Sequence, residues 1–71
     1  MRFSISKEID LIIESNDRSM PRIERLLDTL LNFGQMGLGK ADFIRLNSYH
    51  ATFNQEYAHE YSTIYQEMNE Q

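Results

Sequence analysis

Apolar residues in the first part of the chain recur at spacings of three and four, with charged residues between them. This spacing predicts a first helix over residues 6–16 that presents one apolar side. The apolar residues of this segment are Ile5, Ile9, Ile12 and Ile13. The polar residues at 15–17 predict a turn after it.

A second segment shows the same spacing and predicts a helix over residues 20–33. Ser19 is suited to cap its amino end, and Pro21 falls in the first turn, where a missing amide hydrogen breaks no helical bond. Gly34 is expected to end the helix in a left-handed conformation. The apolar stripe consists of Met20, Ile23, Leu26, Leu27, Leu30 and Leu31.

Three glycines make residues 34–39 a Gly-rich loop, and no Gly or Pro occurs beyond it. One long helix over residues 40–69 is therefore expected. It would extend for about 45 Å, roughly twice the length of the second helix. The fold class predicted is all-α: a short helical hairpin followed by one long helix. This three-helix protomer forms one domain over residues 1–71 and pairs into a dimeric helical bundle.

The last part of the predicted long helix extends beyond the reach of the hairpin, so its apolar side needs another cover. The residues predicted to contact a second copy or another protein are Tyr57, Tyr61, Ile64, Tyr65 and Met68. Large apolar patches are uncommon on soluble monomers, and dimers are the commonest symmetric oligomers. A homodimer is the first expectation, and a tyrosine-anchored surface for another protein is the second.

His50 falls on the apolar side of the same helix, with Asn54 one turn further on. One interpretation is a neutral core histidine that is hydrogen bonded to an Asn side chain or a backbone carbonyl. The other makes His50 and Asn54 a buried polar pair that sets the register of two helices across a dimer seam. Catalysis is not indicated, because the chain has no Cys and no Ser, Asp or Glu is clearly oriented toward His50.

Residues 34–40 match the first seven positions of the phosphate-binding loop pattern, and residues 36–40 resemble the loop of helicase-like ATPases. Ala41, however, has no hydroxyl for Mg²⁺, and a helix is predicted where the motif requires a preceding strand. The segment is interpreted as a linker between helices, and no cofactor is expected.

Glu56 and His59 have the Glu-x-x-His spacing of di-iron helix bundles. Both fall on the polar side of the predicted helix, away from a bundle core, so no metal site is expected. A metal-binding helical dimer is kept only as a third hypothesis for the function.

Charge is distributed unevenly along the chain, whose net charge is −4. Residues 46–71 contain four Glu and no Lys or Arg. Nucleic-acid binding needs a broad basic face, so this balance disfavours it. Arg18, Arg22 and Arg25 do share the outer side of the second helix; they form either a solvated, salt-paired face or contacts to an acidic protein or a phosphate backbone.

Length and hydropathy place the chain among small soluble proteins. A domain of 71 residues buries about 60% of its unfolded surface, and without cysteines it depends on another stabilising device, such as oligomerisation. Residues 1–8 do not have the continuous apolar run of a signal peptide, and no window approaches the roughly 20 apolar residues of a membrane span. We expect a cytoplasmic protein without membrane contact.

These observations favour a small, intracellular, non-enzymatic regulator, adaptor or inhibitor that binds another protein through a helical surface. Its size suggests a bacterial or phage origin. The alternative is a DNA-binding regulator in which the first two helices form a helix-turn-helix motif and the three arginines face DNA.

Overall fold

A computed structural model describes residues 4–69, and within that range it contains four α-helices and no strand. These are α1 (Ile5–Glu14), α2 (Met20–Gly34), α3 (Lys40–Ala51) and α4 (Gln55–Asn69). The all-α prediction is confirmed. Residues 1–3, 70 and 71, which the sequence assigned to the same domain, lie outside the described residues.

Local hydrogen bonds define the two ends of α1. At its start, the Ser4 hydroxyl accepts a hydrogen bond from the Lys7 amide at 3.4 Å. Beyond its end, Asn16 adopts a left-handed conformation with φ of 54°, which Asn tolerates better than most residues. The Asp17 carboxylate then accepts the Ser19 amide at 2.9 Å. Ser19 precedes α2 but makes no capping bond through its own side chain, contrary to the prediction.

The prediction of one long helix over residues 40–69 is wrong. The chain leaves the helix at residues 52–54, and α4 returns antiparallel to α3. The break loses few hydrogen bonds: the amides of Thr52 and Asn54 still donate to the carbonyls of Tyr49 and His50. The Thr52 hydroxyl also donates to the Tyr49 carbonyl at 2.6 Å and so competes with continuation of the helix.

Burial of apolar side chains explains why the chain folds back. In α4, Ala58 and Tyr65 become 3% and 8% exposed, whereas on a single extended helix they would extend past the hairpin. Burying a large apolar side chain such as that of Tyr65 contributes roughly 1.5–3 kcal/mol, and this gain favours the folded-back arrangement. The longest dimension of the described residues is 36 Å, so a 45 Å helix is absent, and with it the apolar stripe that was expected to extend past the hairpin.

Gly34 has a different role from the one predicted. It is the last residue of α2, is buried and is not left-handed; the left-handed glycines of the following turn are Gly37 and Gly39, with φ of 76° and 79°. A Cβ atom at Gly34 would lie 3.0 Å from the ring of Tyr65. The missing side chain therefore permits the close approach of α2 and α4.

The core is built around α3, which contacts each of the other three helices. Contacts between the helices give their directions. Ser6 bonds to Asp42 and Arg45 to Asp10, so α1 and α3 run parallel, while α2 and α4 run in the opposite direction. The buried cluster consists of Ile9, Ile12, Ile23, Leu26, Leu27, Leu30, Phe43, Leu46 and Tyr65. The four-helix protomer replaces the predicted three-helix protomer.

Candidate binding surface

Four of the five residues predicted for an interface lie on one face of α4, and two of them, Tyr61 and Met68, contact α2. We call Tyr57, Tyr61, Ile64 and Met68 the apolar strip. Their spacings of four, three and four residues place them side by side on one helix face. Tyr57 and Ile64 are 51% and 43% exposed, and the other two are half-buried.

Contacts with α2 hold the inner side of the apolar strip. The hydroxyl of Tyr61 donates to the Asp28 carboxylate at 3.1 Å. Burial, and then this hydrogen bond, raise the pKa of Tyr61 to about 12, so the phenol remains a donor at neutral pH. At the other end of the strip, Met68 packs over Gly34.

Tyr65, the fifth residue predicted for the interface, lies in the core of the protomer. Its ring stacks on Phe43, with centroids 4.4 Å apart and an interplanar angle of 18°. The side chain thus packs between α4 and α3 and is 8% exposed. The error follows from the missed turn, because on a single long helix nothing within the protomer could cover this position.

Carboxylates lie on both sides of the apolar strip. Asp28 and Glu24 lie on the α2 side, close enough to Tyr61 for both to raise the pKa of its phenol. Glu60 and Glu67 are exposed on α4, one turn before and one turn after Ile64. Because the chain has no Lys or Arg after residue 45, α4 supplies no positive charge to balance them.

The predicted arginine row is divided among three environments. Arg22 donates to Glu8 and, at 2.7 Å, to Asp17, and these hydrogen bonds raise its pKa, with Glu8 the larger cause. The Ser19 amide, followed by Arg22, lowers the pKa of Asp17. Arg18 lies over the Phe53 ring at 5.6 Å. Arg25 is exposed on α2, so the row is not a continuous basic face.

A buried polar pair joins α3 to α4, and one of its members was missed by the sequence analysis. Asn47 donates to the Ala58 carbonyl at 2.8 Å and to the Ser62 hydroxyl at 2.9 Å. Its side-chain oxygen lies 3.3 Å from Nδ1 of the completely buried His50. The predicted partner, Asn54, instead points its amide at the sulfur of Met20, 3.6 Å away. His50 thus fits the interpretation of a core histidine bonded to an Asn.

The hydrogen bonds of Asn47 determine the tautomer of His50. Both amide hydrogens of Asn47 are donated to α4, so its Oδ1 accepts the hydrogen on Nδ1 of His50. The Nε2 atom is then an unprotonated acceptor, which is buried and has no hydrogen-bond partner among residues 4–69. Burial lowers the pKa of His50, against a smaller opposing effect of Glu24, and the ring is neutral at pH 7.

An open groove of about 320 Å³ runs between α3 and α4 on the side away from the apolar strip. Ile44, 51% exposed, lines it together with small residues and with His59. His59 and Glu56 are both exposed. Nowhere in residues 4–69 do three His, Asp or Glu side chains come close enough to hold a metal ion.

The segment that matches part of the phosphate-binding loop pattern connects two helices. Gly34 is the last residue of α2, residues 35–39 form a turn, and Lys40 begins α3. The motif requires a strand before the loop, and here a helix of 15 residues precedes it. The glycines instead serve the reversal of the chain between α2 and α3.

Comparison of the chain with models of protein families, with curated proteins and with solved structures finds no match. None of the helices within the described residues has both the length and the apolar character needed to cross a membrane.

Proposed function

We propose that this protein is a small, cytoplasmic, non-enzymatic regulator, adaptor or inhibitor that binds another protein through the apolar strip on α4. The observation that supports this proposal is the exposure of Tyr57 and Ile64, which lie two turns apart on one helix face with the half-buried Tyr61 between them. Aromatic residues are enriched at the centres of protein interfaces, where an apolar body and a polar tip are both useful.

The other exposed apolar residues are arranged differently. Leu11 and Ile44 belong to different helices, and Met36 and Leu38 belong to the loop that joins α2 and α3. Exposed apolar residues that occur singly are normal on protein surfaces and need no partner. In the apolar strip, by contrast, four neighbouring side chains offer a continuous contact.

The apolar strip could instead join two copies of this chain in a homodimer, which is the first expectation from the sequence. Its main argument was an apolar stripe longer than the protomer, and the turn at residues 52–54 removes that argument. Static light scattering at micromolar concentration tests it: a homodimer would have twice the monomer mass of 8.4 kDa.

The DNA-binding alternative has less support. Arg18 and Arg25 are exposed near the start of α2, which favours it. Arg22, however, is held by two carboxylates, and specific DNA contacts would have to displace them. A shift of genomic DNA at low salt that is lost in the Arg18→Ala and Arg25→Ala variants would favour this function over protein binding.

Two variants of α4 test the proposed function directly. Ile64→Asp places a charge in the apolar strip, whereas Thr63→Asp places the same charge on the neighbouring, fully solvated side of the helix. The tagged wild type and both variants are purified from the cells that express the protein, and co-eluting proteins are identified by mass spectrometry. A partner that is retained by Thr63→Asp and lost by Ile64→Asp supports the proposal. Equal retention by both variants contradicts it.

A further inference from the structure

We infer that the segment bound by the apolar strip is a basic amphipathic helix of another protein. This inference rests on the proposed function and names the chemistry of its partner. Two features carry it: the length of the strip and the charges along both of its sides.

The length of the apolar strip suits a helix. Tyr57 and Met68 are separated by 11 residues, which corresponds to about 16 Å along the axis of α4. A partner helix of three turns would present apolar residues over the same distance, at the spacings of helix-in-groove recognition. The contact would be formed by side chains alone, because the backbone of α4 is already hydrogen bonded within the helix.

The charges beside the strip select a basic partner. Asp28 lies against the strip through its bond to Tyr61, and Glu60 and Glu67 flank Ile64 on the solvent side. Lys and Arg at the edges of a bound helix would meet these carboxylates, whereas Asp or Glu there would be repelled. Arg25, three residues before Asp28, is an exposed cation of α2.

The same charges argue against a second copy of this chain as the occupant. A two-fold symmetric contact brings the same patch of both copies together. Glu60 and Glu67 would then meet acidic residues of the partner copy, with no Lys or Arg on α4 to neutralise either set. Like charges placed together disfavour association.

Three synthetic peptides of about 20 residues provide the test. They share one leucine face and differ only in their polar positions, which are all Lys, all Gln or all Glu. Fluorescence anisotropy measures the affinity of each for the wild-type protein at low and physiological salt. The Lys peptide is expected to bind roughly tenfold more tightly than the Gln peptide at low salt, with the difference shrinking as salt is added.

Variants separate docking on the strip from a general attraction between opposite charges. Ile64→Asp adds a negative charge, so a purely electrostatic attraction would strengthen binding of the Lys peptide, whereas docking on the strip predicts at least a severalfold loss. Thr63→Asp is the matched control and should retain binding. Glu60→Gln should reduce the preference for Lys over Gln, and Glu14→Gln, an exposed position on α1, should leave it unchanged.

The other possible results would contradict either the basic partner alone or the proposed function as well. Equal binding of the Lys and Gln peptides, with loss of both in Ile64→Asp, overturns the basic partner and leaves the proposed function in place. Absence of binding by all three peptides at millimolar concentration overturns both. A wild-type dimer that Ile64→Asp converts into monomers overturns the inference as well, because a second copy would then occupy the strip.

Discussion

The two halves of this protein are stabilised by different kinds of side chain. In α1 and α2 the buried residues are aliphatic, apart from Gly34, and they repeat at regular helical spacings. In α3 and α4 the buried set includes two stacked aromatic rings, from Phe43 and Tyr65, and the polar pair of Asn47 and His50. An aliphatic core of this kind tolerates substitution by other apolar side chains of similar total volume. The second half depends instead on two specific contacts, between the two rings and between the two polar side chains.

The largest effect is expected in the aliphatic half. Leu27 is completely buried, and Leu27→Ala would remove its contacts and leave a cavity, at a cost of about 2–5 kcal/mol. This is a large part of the total stability of a small domain. Urea unfolding followed by circular dichroism measures the change. Leu11→Ala, at an exposed position of α1, should leave the midpoint nearly unchanged; equal effects of the two variants would contradict the assignment of the core.

The second effect concerns the contact between the two halves. Gly34→Ala would place a methyl group 3.0 Å from the Tyr65 ring, which is stacked on Phe43 and would have to shift by a few tenths of an ångström; we expect a cost of about 1–3 kcal/mol. Elsewhere inside a helix the same substitution stabilises by roughly 0.5–1 kcal/mol. A second substitution, Tyr65→Leu, should reduce the cost of Gly34→Ala, as a double-mutant cycle of unfolding free energies would show. Stabilisation by Gly34→Ala alone would mean that the helices do not approach closely.

The third effect tests the polar pair in the second half. Asn47→Leu would remove the donors to the Ala58 carbonyl and the Ser62 hydroxyl and leave His50 without its partner, at a cost of about 1–3 kcal/mol. Thermal unfolding measures the loss. Ser48→Ala, on the neighbouring exposed position, is the control. If Asn47→Leu unfolds at the same temperature as the wild type, the polar pair does not stabilise the contact between α3 and α4.

The smallest effect is the pH dependence due to His50. Burial lowers its pKa in the folded state below the unfolded value, so the unfolded state binds the proton first. Stability is therefore nearly constant above about pH 7 and is lost as the pH falls through about 6.5 toward the folded pKa, by at most about 1.4 kcal/mol at pH 5.5. Urea unfolding at several pH values between 5.5 and 7.5 measures this slope.

Two variants assign the slope to one histidine. His50→Gln should abolish the slope in this range even if it lowers stability at every pH, because it removes the titrating group. His59→Gln removes the exposed histidine of α4 and should retain the slope. A slope that survives in His50→Gln would show that another group is responsible.

The interface itself stays a prediction, and the structure bears only on how its residues are arranged. Helical spacing alone placed Tyr57, Tyr61, Ile64 and Met68 on one face, and the structure retains this neighbourhood on α4. The burial of Tyr65 could not be foreseen, because it depends on Phe43, which is 22 residues away in the sequence. Spacing within a helix describes which residues are neighbours but not which element covers them.

The missed turn left a weak signal in the chain. Thr52 and Asn54 are both poor helix formers, and both side chains can hydrogen bond to nearby backbone groups. No Gly or Pro marks the position, and the apolar spacing continues through it with little change of phase. Only the free energy gained when α4 packs against α2 and α3 favours a folded-back helix over a continuous one.

Local physical chemistry was sufficient to predict the helical class, the first two helices and the acidic character of the last third of the chain. Each depends on the spacing or identity of residues close together in the sequence. The return of α4, the role of Gly34 as a contact point and the bond of Asn47 to His50 and α4 required the tertiary structure. These features arise from contacts between distant segments, and their free energy exists only when the segments have been brought together.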